Sequence, residues 1–166
     1  MWKLHVACLL TLTVLVPPPL AQAQHTLATL QLIEQVAKDK EPTCSLAHRS
    51  ITKNHEENYA YLIWKCDEQE VRVDVNEYDS EAEVRITPKS LLTANFRLAT
   101  RLSGIGDEAF LLGEGSYAKG RFNVIFRKGK VRMDVTAPSA DVAQRFAKHF
   151  AESLPAAQQI IGGDAQ

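Results

Sequence analysis

Neither sign of charge predominates in this chain: 19 lysines and arginines stand against 20 aspartates and glutamates in 166 residues. Such a balance gives no electrostatic grip on nucleic acid or on an anionic bilayer. Cysteine is scarce, three in all, and no pair has the C-x-x-C spacing of a redox-active dithiol. The histidines never recur at the H-E-x-x-H spacing that sets two zinc ligands on one helical face. No G-x-S-x-G elbow offers a serine nucleophile. Gly104-Ile105-Gly106 has neither the third glycine nor the preceding strand of a dinucleotide fingerprint. Beyond residue 23 no apolar run approaches the roughly 20 residues a spanning helix needs. Internal repeats and low-complexity stretches are absent as well.

What is present begins with a leader. Lys3 precedes an acid-free apolar run over residues 4–16, Pro17-Pro18-Pro19 interrupts it, and Ala21-Gln22-Ala23 places small residues where a signal peptidase reads them. The pattern predicts a cleavable signal peptide over residues 1–23, with cleavage before Gln24. Cys8 sits in the middle of the run and not at the cleavage site, so no lipid anchor is expected, and no stable membrane anchor remains after cleavage. Residues 24–155 are then one domain, and residues 156–166 a flexible tail. Cleavage removes Lys3 and no acid, leaving 18 basic against 20 acidic residues and a net charge near −2. The 143 residues left can bury a core unaided. Export would put the remaining cysteines, Cys44 and Cys66, in an oxidising space where a lone pair forms a disulfide.

Hydrophobic periodicity predicts an α+β domain: an antiparallel sheet packed against an N-terminal and a C-terminal helix. Leu27, Leu30, Ile33 and Val36-Ala37 form a helical stripe that Pro42 terminates. Residues 44–53 read as a strand. Ala60, Leu62, Trp64 and Cys66 alternate along the next, and Val71, Val73 and Val75 along its partner beyond an Asp67-Glu68 turn. Residues 79–95 read as partly helical. A second hairpin is expected over residues 121–136 with Lys128-Gly129 as its turn, pairing Phe126 with Val131, Val124 with Met133 and Phe122 with Val135. Ser139 is placed to cap a last helix whose Val142, Phe146, Phe150 and Leu154 recur at four-residue spacing until Pro155.

Two groups of residues carry candidate chemistry. Gly104, Gly106, Asp107 and Glu108 suit a tight turn, the glycines giving an unusual backbone path and the aspartate bonding nearby amides. Their functional reading is a paired acid/base or a cation site. Adjacent side chains on extended backbone point opposite ways, which argues against the two carboxylates converging. The second group is the basic end of the second hairpin, Arg127, Lys128, Lys130 and Arg132, with Lys119 and Arg121 nearby. Arg127 is expected to face Lys130 across the turn, and the group reads as protection of an exposed edge or as a partner-binding patch. Phe122 and Phe126 lie on the core face, which does not fit base stacking of the RRM kind. His48 with His55-Glu56-Glu57 reads as a solvated loop, and His149 as an exposed residue near a helix C-terminus. Nothing here calls for a metal or a cofactor.

Gly104-Ile105-Gly106-Asp107-Glu108-Ala109-Phe110, the basic hairpin and the Ala137-Pro138-Ser139 lead into a helix together resemble a widespread group of exported bacterial proteins, many of them lipoproteins of unknown function. The turn is similar to one in the extracellular sensor domains of some bacterial Ser/Thr kinases. The resemblance covers residues 103–154, about a third of the chain. It implies a small sheet-and-helix domain in the cell envelope or outside the cell, and brings no catalytic residues. The expected function is therefore a noncatalytic module that binds a small ligand or an envelope protein. The alternatives are a small extracytoplasmic enzyme using carboxylate or histidine chemistry, and a structural envelope component.

Overall fold

Leu30, Ile33 and Ala37 recur every three or four residues, and burying that stripe makes helix α1, Pro18–Lys40, one wall of the core. Pro18 and Pro19 occupy its first turn, where a missing N–H costs nothing. The proline run thus begins the helix, well before the apolar stripe that starts at Leu27. The computed structural model describes residues 18–53, 58–78, 86, 99–114 and 119–162. Of residues 79–95, expected to be partly helical, only Ile86 is among the described residues.

After α1 come β1 (Cys44–Lys53), β2 (Asn58–Cys66), β3 (Gln69–Glu77), β4 (Ala99–Leu102), β5 (Glu108–Leu112), β6 (Phe122–Lys128), β7 (Val131–Ala137) and a closing helix α2 (Ala140–Gly162). The strands form one sheet in the order β1-β2-β3-β7-β6-β5-β4, every neighbouring pair antiparallel. Both helices lie on one face, α1 over β1 and β2, α2 over β6 and β7, and they touch each other. This is the expected α+β arrangement. Between the layers Trp64 meets the rings of Phe146 and Phe150, at 6.4 and 6.0 Å between centroids. On the other face Ile86 packs with Leu112, Ile125 and Phe110 in a smaller cluster.

The disulfide joins Cys44 to Cys66, directly opposite each other on β1 and β2 with Cα atoms 4.1 Å apart. Asp67, at the first turn position between β2 and β3, has a φ of +55°, a conformation that aspartate tolerates better than most residues. Ser139 caps α2 as expected, its Oγ accepting the Val142 N–H at 3.3 Å. The helix does not stop at Pro155 but runs on to Gly162. Proline fixes φ near −65°, which is helical, so continuation forgoes one N–H bond without reversing the chain.

The second hairpin corrects the expected register. Its turn is Gly129-Lys130, with Lys128 opposite Val131, Phe126 opposite Met133 and Val124 opposite Val135. Gly129 has a φ of +56° and Lys130 does not share it, the pattern of a type II′ turn, which puts glycine first. Moving the turn by one position shifts each pairing by two residues. The apolar face survives intact, while Arg127 now faces Arg132 and not Lys130.

Candidate functional site

The glycine turn and the basic hairpin end come together at one end of the sheet. Residues 103–107 join β4 to β5, with φ of +76° at Gly104 and +58° at Gly106. A Cβ at Gly106 would run into the carbonyl oxygen of Arg127 and lie 3.2 Å from Phe126 Cδ2. That close approach lets the Asp107 N–H donate to the Arg127 carbonyl at 2.8 Å. We expect Gly104→Ala to cost roughly 1 kcal/mol, for its left-handed backbone, and Gly106→Ala roughly 2 kcal/mol, because the added methyl also meets Arg127. Equal losses in urea unfolding would show that the close approach carries no energy.

The Asp107 carboxylate accepts the Gly129 N–H at 2.8 Å and Arg127 Nη1 at 3.3 Å, and its other oxygen lies 3.4 Å from Lys128 Nζ. Burial alone would raise its pKa, but the Gly129 N–H, Lys128 and Arg127 outweigh it and hold the group below the usual carboxylate range. Glu108 accepts the Ile86 N–H at 3.2 Å and sits 4.0 Å from Arg127 Nε. The two carboxylates therefore share a guanidinium of their own chain. A cleft of about 390 Å³ lies beside them, lined by residues 101–108.

The four cations of the expected partner patch do not form a free positive surface. Arg127 and Lys128 are bound to Asp107, and Arg132 lies 3.4 Å from Asp134. Lys130 is exposed. His149, expected to be exposed, is half-buried with Nε2 3.5 Å from Glu41, which also takes Arg145 at 2.7 and 3.1 Å and so ties α1 to α2. Beside this junction a cleft of about 340 Å³ is lined by Glu41, Cys44, Cys66, Asp67 and Arg145 among others. His55 falls outside the described residues. Among the described residues no three His, Cys, Asp or Glu side chains gather as metal ligands.

The most unusual chemistry was not foreseen. Asp74 on β3 and Asp134 on β7 are register partners on the sheet face away from the helices, only 4 % and 6 % exposed. Asp74 receives Arg72 Nε at 2.8 Å and Nη2 at 2.6 Å, together with a bond from the Tyr59 hydroxyl. Burial first, and then the bond to Asp74, push Tyr59 up to about 12. The Arg72 guanidinium also lies 4.7 Å from the ring centre of Tyr61, on which His48 stacks at 5.3 Å. Asp134 is less well supplied. Among the described residues Arg132 is its one cation, and its Oδ1 has no hydrogen-bond partner. Burial pushes this group up to about 6, with the Asp74 charge adding and Arg132 opposing. The sequence signal for the pair was the alternation that sets both aspartates opposite an apolar face. The missing element was that β3 and β7 are neighbours.

No family model and no curated protein matches this chain. The fold is similar to the crystal structure of a GTP binding regulator from Thermotoga maritima, with a TM-score of 0.51 and 11 % identity, over 76 % of this chain and 84 % of that one. At that identity the likeness is one of fold alone.

Proposed function

We propose that the protein is an exported, noncatalytic binding module of the bacterial envelope, matured by removal of residues 1–23. The observation that carries this reading is the Cys44–Cys66 bridge, since structural disulfides persist in oxidising compartments. Cleavage before Gln24 leaves in place Leu30, Ile33 and Ala37, the buried residues by which α1 closes the core. At the hairpin tip Arg127 and Lys128 neutralise Asp107, which favours a stabilising role there over catalysis. Intact mass after expression in a bacterial host tests the reading. We expect an extracytoplasmic species beginning at Gln24, two hydrogens lighter than its reduced form, that takes up thiol label only after reduction. A cytosolic species with residue 1 intact and two labelled thiols would overturn it.

A further inference from the structure

The cleft of about 390 Å³ beside the glycine turn is lined by residues 101–108. Its acids are already committed. Asp107 accepts the Gly129 N–H and lies 3.3 Å from Arg127 and 3.4 Å from Lys128, while Glu108 accepts the Ile86 N–H. The groups left uncommitted are donors. Arg101 is exposed on β4 and makes no hydrogen bond or ion pair among the described residues. Its register partner is Phe110, which packs on the sheet face away from the helices. Glu108, two residues before Phe110, shares that face, so the free guanidinium and the committed carboxylate flank the cleft from neighbouring strands.

The backbone adds further donors. In the loop from Ser103 to Asp107 the Asp107 N–H is bonded, to the Arg127 carbonyl. The amides of Ser103, Gly104, Ile105 and Gly106 donate to no group among the described residues. φ is positive at Gly104 and Gly106 but at neither Ser103 nor Ile105. Such alternation turns successive N–H groups toward one concavity, which is how backbone nests hold anions. The loop is fastened from within as well. Ile105 is buried in the main core, and Gly106 is pressed against the Arg127 carbonyl. Donors fixed before a ligand arrives lose little freedom on binding it.

We propose that this cleft binds a small anion, the carboxylate or phosphate group of its ligand, with the Arg101 guanidinium and the amides of residues 103–106 as donors. The inference rests on the binding-module reading and names its ligand class. A guanidinium takes either group through two parallel N–H bonds. A volume of this order suits a small molecule. A cation is the poorer occupant. It would have to draw Asp107 away from three donors that already satisfy it, and the unpartnered Arg101 repels it.

The test titrates the purified, oxidised protein with inorganic phosphate, acetate and calcium chloride, at constant ionic strength so that screening is equal in every arm. We expect phosphate or acetate, at millimolar concentration, to shift the amide resonances of residues 103–106 saturably. Arg101→Gln should weaken that binding about tenfold, through loss of a charge-assisted pair. It should unfold as the parent does, because the side chain is exposed and unpaired. Lys65→Gln, at an exposed position on β2, should bind as the parent does. Tighter binding of phosphate would support a phosphorylated ligand, and tighter binding of acetate a carboxylic acid. Absence of saturable shifts, equal binding by Arg101→Gln and the parent, or shifts of the same amides by calcium and by neither anion would each overturn the proposal. None of these depends on whether the protein is exported, which the mass measurement decides separately.

Discussion

Replacing Cys44 and Cys66 together by alanine lowers the unfolding free energy by roughly 3 kcal/mol and the melting temperature by roughly 10 °C. Two features set that size. The bridge closes a loop with a sequence separation of 22, which removes a substantial set of unfolded conformations. It also fastens the edge strand where the chain leaves α1, since the Cys44 N–H donates to the Glu41 carbonyl just before β1 begins. Because much of the effect acts on the unfolded chain, the variant should show a steeper urea dependence along with its lower midpoint, as a less compact unfolded state exposes more surface. Reducing the parent with a thiol should reproduce the loss. If the variant unfolds at the parent's midpoint, the bridge constrains nothing that the β1–β2 pairing does not already hold.

The local elements were legible because each carries its signal within a few residues. Ala60, Leu62, Trp64 and Cys66 alternate, Phe146 and Phe150 recur at helical spacing, and Ser139 stands one residue before its helix. Where the reading failed, the deciding contact was distant or the local signal had two solutions. Lys128-Gly129 and Gly129-Lys130 both give a two-residue turn and the same apolar face, so alternation alone does not choose between them. Pro155 looked like a stop because the cost of proline is local, while the helix it interrupts continues. The Gly104–Glu108 turn was correctly suspected of an unusual backbone. That it packs on the basic hairpin end, Asp107 against Gly129 N–H, follows from β5 pairing with β6. Most of all, β3 and β7 lie some sixty residues apart in sequence and side by side in the sheet. Polar residues opposite an apolar face ordinarily read as solvated, and here that reading misses a buried carboxylate pair.

Asp134→Asn stabilises the protein at neutral pH by about 2 kcal/mol and removes a pH dependence that the parent shows between about 4 and 6. The sign follows from the direction of the shift. Burial beside Asp74 raises Asp134 from 3.8 to about 6 in the folded state, so folding favours its protonated form. Its contribution is fully present below pH 4 and is lost as pH rises through 6, a change of about 3 kcal/mol for two pKa units. Asparagine keeps the shape and carries no charge at any pH. It forgoes the 3.4 Å contact with Arg132, which takes part of the gain away. One other acid acts in the opposite sense. Asp107, held below its usual range by Gly129, Lys128 and Arg127, contributes stability that disappears as pH falls through its folded value. The informative quantity is therefore the difference between variant and parent in urea unfolding at pH 4, 5, 6 and 8. That difference should grow with pH and level off above 6, whereas a variant less stable than the parent at pH 8 would mean that the ionised Asp134 is held by its surroundings and not merely endured.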